Sequence, residues 1–531
     1  MKKLDKRVTF GVLALSIGLV GGLFISTRSM MSNMEENSVS SNVFSRETDD
    51  LSVATESEMV ELNNGDSFDI VARPIIQDIE GQEIRMLSYN GSIPGPTIIV
   101  DQGDTIKLNI TNELDVATTI HPHGINGSSD NDGVPDISQA PIEIGDSYEQ
   151  TIEFPESGLF WYHPHVREDY AQASGMYANF IVRPQDSASW PQADREHILQ
   201  LSDISLTDDG LFEFRKDEVT HTLMGRFGNT QLVNGRTDYT VNGTTGEVQR
   251  LYLTNTSSVR SYRFEIPGVS LKLVGGDNGF YEKDSFVEHV TVAPSERAIV
   301  DVVFDVAGEY EIRNNNPEGN TKLASIQVSN GKAVTTAAES FGTIASRDSV
   351  TEEIEQLLAD AQSSGISKRL ATRVDMRPMF MQGMAEEMES AERREEGEDH
   401  EGIEWEDAMP QANAISNSDN TSWSLVDLDN PREDTFDWQF NQDDVVTITV
   451  ENSNRTMHPM QHPIHLHGQK FIVASINGEP TENRVFKDVV QIPVGDTYEL
   501  VTRLENKGTW LLHCHISEHM ESGMVGRFTV N

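Results

Sequence analysis

The chain has 531 residues, 37% of them hydrophobic, with 39 glycines and 20 prolines. That excludes a disordered chain, and the length is too great for one hydrophobic core, so about three domains are expected. Acidic residues outnumber basic ones 86 to 40, a formal net charge of -46, which excludes nucleic acid as a partner and favours cations. A single cysteine excludes an intramolecular disulfide framework, leaving packing and metal as the sources of stability.

The N-terminus reads "MKKLDKR" and runs straight into the apolar stretch Val8 to Ile25. Such a run fits both a cleaved export signal and an uncleaved membrane anchor. Export to the outer face of the cell membrane, or secretion, is expected in either case. There is no twin arginine, which predicts export of the unfolded chain and metal loading outside the cytosol. Residues 29–56 carry Ser, Asn, Glu and Met without apolar periodicity and read as a flexible stalk.

From there on, short runs such as "TIIVDQGDTIKLNITNEL" (97–114) alternate β-branched and polar residues between Gly-Asp and Pro-Gly breaks. An all-β chain is expected. One exception, "TEEIEQLLADAQSSGISKRLATRVDM" (351–376), reads as helix.

Internal repetition divides the strands into domains. "GDSYEQTIEFPESGLFWYHPH" (145–165) realigns on "GDTYELVTRLENKGTWLLHCH" (495–515) at a constant offset of 350 residues, with Pro164 where Cys514 stands. "HPHG" (121–124) overlays the end of "HPIHLHG" (462–468), matching His121 and His123 to His465 and His467. A weaker third copy, "AGEYEIRNNN" (307–316), has Arg313, Asn314 and Asn315 at the histidine and cysteine positions. The expected organisation is a signal or anchor (1–28), the stalk (29–56), a first β-domain (57–185), a second without ligands (186–336), a Met- and acid-rich, partly helical insert (337–409) and a third β-domain (410–531).

Strand geometry sorts the ligands. Side chains alternate faces, so His513 and His515 point one way and Cys514 the other. His465 and His467 share a face, and His462, an odd number of residues away, can take the opposite one. Cys514 with His462, His519 and Met524 then forms a Cys, two-His, Met set, which suits an electron-transfer copper with a weak axial thioether. The eight histidines of four His-x-His pairs, His121, His123, His163, His165, His465, His467, His513 and His515, form a second cluster between the first and third domains. His197, His221, His289, His400 and His458 fall outside the pattern.

These motifs, together with "YNGSIPGPTIIVDQGD" (89–104), "QLVNGR" (231–236) and "VTVAPSERAIVDVVF" (290–304), resemble those of the three-domain, laccase-like multicopper oxidases. The likeness runs from about Ser57 to Asn531 apart from the insert. It implies three cupredoxin-like Greek-key β-sandwiches and four copper ions. His462, Cys514, His519 and Met524 would hold the type 1 copper, and His121 and His465 the type 2 copper. His123, His163 and His515 would hold one type 3 copper, and His165, His467 and His513 the other. A reducing donor would pass single electrons to the type 1 copper, and from there through Cys514 to the trinuclear cluster, where dioxygen is reduced to water.

Protons must reach that cluster. Asp132, nine residues after His123, matches a family carboxylate that relays them, and it equally fits a turn cap before Gly133. Many bacterial relatives carry an acid after the last type 1 histidine; Met520 stands here, leaving Glu518 and Glu521 as candidate substitutes. In the insert, Met376, Met379, Met381, Met384 and Met388 precede a dense acidic run, a combination suited to gathering Cu(I) and equally to ordinary packing beside a solvated face. Cu(I) and phenolic or aromatic amine donors are the expected substrates. A ferroxidase and a non-catalytic copper-binding surface protein are the alternatives.

Overall fold

The computed structural model describes residues 42–185, 190–331, 336–377, 401–433 and 435–531. Residues 42–44 and 215–217 form a small unit of their own, joined by a bridge between Val43 and Arg215. Ser45–Phe214 and Glu218–Asn531 make up the main unit. The apolar run Val8 to Ile25 and Met379, Met381, Met384 and Met388 of the insert lie outside the described residues.

The main unit is built of three β-sandwiches. In the first, the sheet Gln82–Tyr89, Ser67–Ile79, Thr105–Asn112, Ser147–Glu153 accompanies the sheet Met59–Glu61, Thr97–Asp101, Ala178–Arg183, Gly158–His163, His121–His123. The second has a six-stranded sheet with Val248–Asn255 and Arg297–Val303 at its centre and a five-stranded sheet around Gly308–Asn316. The third pairs a six-stranded sheet centred on Val445–Glu451 and Thr497–Arg503 with a five-stranded sheet that holds His462–Leu466 beside Gly508–Cys514. Alternating apolar residues face inward, for instance Leu251, Leu253, Val300 and Val302 in the second core and Ile448, Leu500, Trp510 and Phe528 in the third.

The repeat seen in the sequence is preserved in strand register. His121 pairs with His163 in the first domain as His465 pairs with His513 in the third. In the second domain Phe264 faces Asn314 and Glu265 faces Arg313, the same register as Ile464 with Cys514 and His465 with His513. The second domain keeps the scaffold of a metal site and has other side chains on it.

Two expectations need correction. The helix expected over 351–376 spans Asp348–Ser364 and ends at Gly365, whose φ of 63° is open to glycine at no steric cost. Ile354, Leu357 and Ala361 form its buried stripe, packed on Val445, Ile472, Phe486 and Val501. Beyond the glycine the period drops from helical to alternating. Strand Ile366–Met376 buries Leu370, Thr372, Val374 and Met376 and pairs with Thr421–Asp427 and Val445–Glu451. It is therefore part of the third domain's sheet although the sequence assigns it to the insert, and Met376 belongs to the core that contains Cys514.

The second correction concerns the stalk, whose C-terminal part lies along the first domain: Val53 bridges Ile76, Thr55 bridges Ser92, and Ala54 N–H donates to the Ile76 carbonyl at 2.8 Å. These are main-chain bonds with Val53 left exposed, so no apolar pattern announces them.

Because Leu370 is fully buried in that strand, Leu370→Ala should cost about 2–5 kcal/mol in denaturant unfolding. The exposed neighbour Arg369 should cost no more than about 0.5 kcal/mol when changed to alanine.

Candidate metal centre

The strand Gly508–Cys514 divides its side chains as alternation requires. Cys514 faces the apolar core of its own sandwich, while His513 and His515 face the first domain. On the core side, Cys514 Sγ lies 3.6 Å from His462 Nδ1 and 3.9 Å from His519 Nδ1. The three residues present ligand atoms within 4.8 Å of one another. Met524 is fully buried in the same core, and its carbonyl accepts the Cys514 N–H at 3.1 Å. Trp423 stacks on His519, with ring centroids 4.2 Å apart and planes at 25°. Burial pushes the Cys514 thiol far above its ordinary range and draws His462 down to about 3. A thiol so placed gives up its proton only to a cation that stabilises the thiolate.

On the other side, the structure brings all eight His-x-His histidines together. Ligand atoms lie within 4.8 Å of one another in the sets His121, His465, His467; His123, His163, His515; and His165, His467, His513. His123 stacks on His465 at 3.8 Å and His121 on His467 at 4.3 Å. His467 Nε2 and His513 Nε2 are 2.8 Å apart.

All of these rings except His515 have an oxygen at Nδ1. Carbonyls serve His121 (Asp132 O, 2.6 Å), His163 (Pro164 O, 3.0 Å), His465 (Asp488 O, 2.7 Å) and His513 (Cys514 O, 2.8 Å). Carboxylates serve His467 (Asp132 Oδ2, 2.9 Å), His123 (Asp488 Oδ1, 3.2 Å) and His165 (Glu168 Oε1, 3.3 Å). With Nδ1–H so directed in His121, His163, His465, His467 and His513, Nε2 is the free lone pair of those rings, whereas the carboxylates beside His123 and His165 lie within ion-pair distance and make no hydrogen bond to them. The Nε2 atoms of His121, His163, His165 and His465 and both ring nitrogens of His123 and His515 are buried with no hydrogen-bond partner. So many orphaned nitrogens converging on one space are what a set of metal ions would satisfy, and imidazole with thiolate and thioether suits copper.

Asp132 follows the 3-10 turn Ser129–Asn131, and its carboxylate reaches His467 at 2.9 Å and His121 at 3.3 Å. Only its main-chain N–H closes the turn, on Ser129 O. Glu518 instead faces Ser258 Oγ, which donates at 2.6 Å, and Arg226 at 3.9 Å. Burial raises Glu518 to about 7, and burial with the Asp169 charge does the same to Glu521. Sequence alone does not single out Asp488, Glu168 or Trp423. Asp488 and Trp423 lie at the site through tertiary contact, whereas Glu168 reaches His165 from three residues further along the same segment.

A buried cysteine-histidine site beside an interdomain histidine cluster, carried on stacked β-sandwiches, defines a copper-dependent oxidoreductase. Multicopper oxidase domain families match residues 72–187, 202–338 and 405–531. The chain belongs to the multicopper oxidase family. It is 27% identical over 461 residues to the multicopper oxidase mco of Staphylococcus aureus, covering 85% of each chain. It is 25% identical to copper resistance protein A of Escherichia coli, covering 87% of this chain and 92% of that one. Among solved structures it resembles a Campylobacter jejuni multicopper oxidase described as a metallo-oxidase, with a TM-score of 0.66 at 21% identity over 91% of this chain and 98% of that one.

Burial of the rings makes stability depend on pH. His462 is lowered to about 3 and His513 to about 4, chiefly by burial, so unfolding takes up protons once pH drops below the ordinary value of about 6.5. The metal-free chain should thus lose stability from about pH 6.5 down to about 3. Glu518 and Glu521, raised to about 7, oppose this between about pH 7 and 4.5. The fall should therefore be steepest below about pH 4.5, as thermal melts across pH would show. Asp132→Asn should weaken copper retention about 10- to 100-fold in equilibrium dialysis, with little change in melting temperature.

Proposed function

We propose that the chain couples one-electron oxidation of a reducing donor at a mononuclear copper site (Cys514, His462, His519, Met524) to four-electron reduction of dioxygen to water at three coppers held by the eight interdomain histidines. The observation that carries this reading is the partition along one strand: Cys514 on one face and His513 and His515 on the other, each inside a separate set of convergent donors. Bound copper supplies one-electron redox chemistry with a thiolate-tuned potential at the first site and an oxygen-binding centre at the second.

The protein's own contribution is geometric. Cys514 joins the two sites by a single residue on either side, and His513 Nδ1 adds a 2.8 Å bond to the Cys514 carbonyl. Trp423, Ile464 and Ile516 share the buried core with the thiol and exclude water from it. Asp132 lies against the His467 and His121 rings, and that contact supports it as the carboxylate that hands a proton inward.

For the donor, Cu(I) is favoured over a phenol. The support is the likeness to a copper resistance protein and the chain's charge of -46, which attracts cations. The buried place of Met376 removes that residue from any copper-gathering surface. Iron(II) oxidation has acidity alone in its favour. The apolar run Val8 to Ile25 supports a protein that works outside the cytosol.

Oxygen consumption by one copper-loaded preparation with Cu(I), Fe(II) and a phenol should be fastest with Cu(I). A faster rate with Fe(II) or the phenol would refute that preference. Cys514→Ser should remove the intense visible absorption and stop turnover with every donor while the histidine cluster keeps its copper. A coloured, active Cys514→Ser protein would overturn the site assignment.

A further inference from the structure

Among the described residues, none of the second domain belongs to a convergent ligand set, yet one of them reaches the histidine cluster through a buried ion pair. Arg297, at the start of strand Arg297–Val303, is fully buried. Its NH1 donates to Asp488 Oδ1 at 2.8 Å and its NH2 to Asp488 Oδ2, a bidentate fork on a carboxylate of the third domain. Asp488 touches two stacked rings of the cluster. Its Oδ1 lies 3.2 Å from Nδ1 of His123, from the first domain, and its carbonyl is 2.7 Å from Nδ1 of His465, from the third.

Arg297 is itself fixed from behind. Its Nε donates to Leu159 O at 2.9 Å, its main-chain N–H donates to Asp277 Oδ1 at 2.6 Å, and Lys487 Nζ lies 2.6 Å from Asp277 Oδ2. The residue after His123 has to be glycine for this to fit. A Cβ on Gly124, whose φ is +81°, would lie 2.2 Å from Asp488 Oδ2 and 2.8 Å from Arg297 NH2.

We propose that Arg297 and Asp488 are positioning residues, by which the ligand-free second domain sets the orientation of His123 and His465 and so the copper affinity of the histidine cluster. This rests on the copper reading above. The physical reason is selective. Desolvating two charges is costly, and a buried pair is often replaceable by apolar residues without loss. A pair retained only for stability would have no need to end on the Nδ1 atoms of two rings. The second domain supplies a comparison: Arg250 makes an equally buried fork on Asp301, with both bonds at 2.8 Å, between neighbouring strands of one sheet and with no histidine in the fork.

The test uses the full-length, copper-loaded protein challenged with EDTA, following copper release, the visible absorption of the thiolate site and the electron paramagnetic resonance of the histidine-bound copper. Arg297→Lys keeps the charge and loses the fork. It should release cluster copper about 10- to 100-fold more readily and alter the resonance, with the visible absorption intact. Arg250→Lys should lower the melting temperature comparably and retain copper as the native chain does. Asp488→Asn should release copper at least as readily as Arg297→Lys, and Arg297→Gln, which also loses the fork, serves as the second readout should Arg297→Lys not fold.

Native-like copper retention in Arg297→Lys or Asp488→Asn, or equal losses in Arg297→Lys and Arg250→Lys, would overturn the proposal. Loss confined to Asp488→Asn would overturn it too, by making Asp488 a direct ligand. If the native chain took up copper and was coloured, such results would count against positioning alone. A native chain that bound no copper would sink the copper reading and this proposal with it.

Discussion

Everything in this structure depends on keeping eight imidazoles dry. A neutral ring buried between two sandwiches gives up its water on both nitrogens, and in seven of the eight only one of them finds an oxygen nearby: Asp132 for His121 and His467, Asp488 for His123 and His465, Glu168 for His165, and carbonyls for His163 and His513, while His515 has none. The remaining Nε2 atoms are left facing one another, a costly arrangement for a metal-free protein. Burial is also what lowers the pKa of His123, His163, His165, His465, His467, His513 and His515, so they stay neutral and ready to ligate. Stability and function are opposed here. The interface leaves buried nitrogens unpaired and so available for coordination.

Strand alternation turns that interface into a device with two compartments. Cys514 shares a core with Ile464, Trp510 and Met524, whereas the residues on either side of it cross to the histidine cluster. No loop or lid is needed to connect the two donor sets, because adjacent residues of an extended chain face opposite ways. Gly468 is part of the same arrangement. Its φ is +63°, and a Cβ there would lie 2.3 Å from the Trp510 ring, which would displace the strand end that carries His467.

The second domain shows the same strand register carrying other side chains. Phe264 and Asn314 occupy the register of Ile464 and Cys514, so the fold tolerates replacing the whole donor set while the sheets stay as they are. The domain's contact with the cluster runs through buried charge, Arg297 with Asp488 and Asp277. Buried ion networks are demanding in geometry and weakly stabilising, and their value lies in defining direction.

Much of the site was legible in the chain itself, because its information is local and periodic. The His-x-His pairs, the Cys514 bracket and the 350-residue repeat are set by short, fixed spacings, and strand geometry converts such spacings into faces without knowledge of the rest of the fold. The three sandwiches were legible for the same reason. Where the local signal was mixed, reading failed. Thr351 to Met376 has enough charged and apolar residues for either period, and only pairing with Thr421–Asp427 and Val445–Glu451 decides that the chain turns to strand after Gly365. The stretch near Val53 is held by main-chain bonds, which leave no mark on side-chain composition. Asp488 and Arg297 were out of reach altogether. Each is one charged residue in a chain that has 86 acidic and 40 basic ones. For Arg297 and Asp488 the meaning comes from partners in other domains, brought into contact only when three separate cores have packed together.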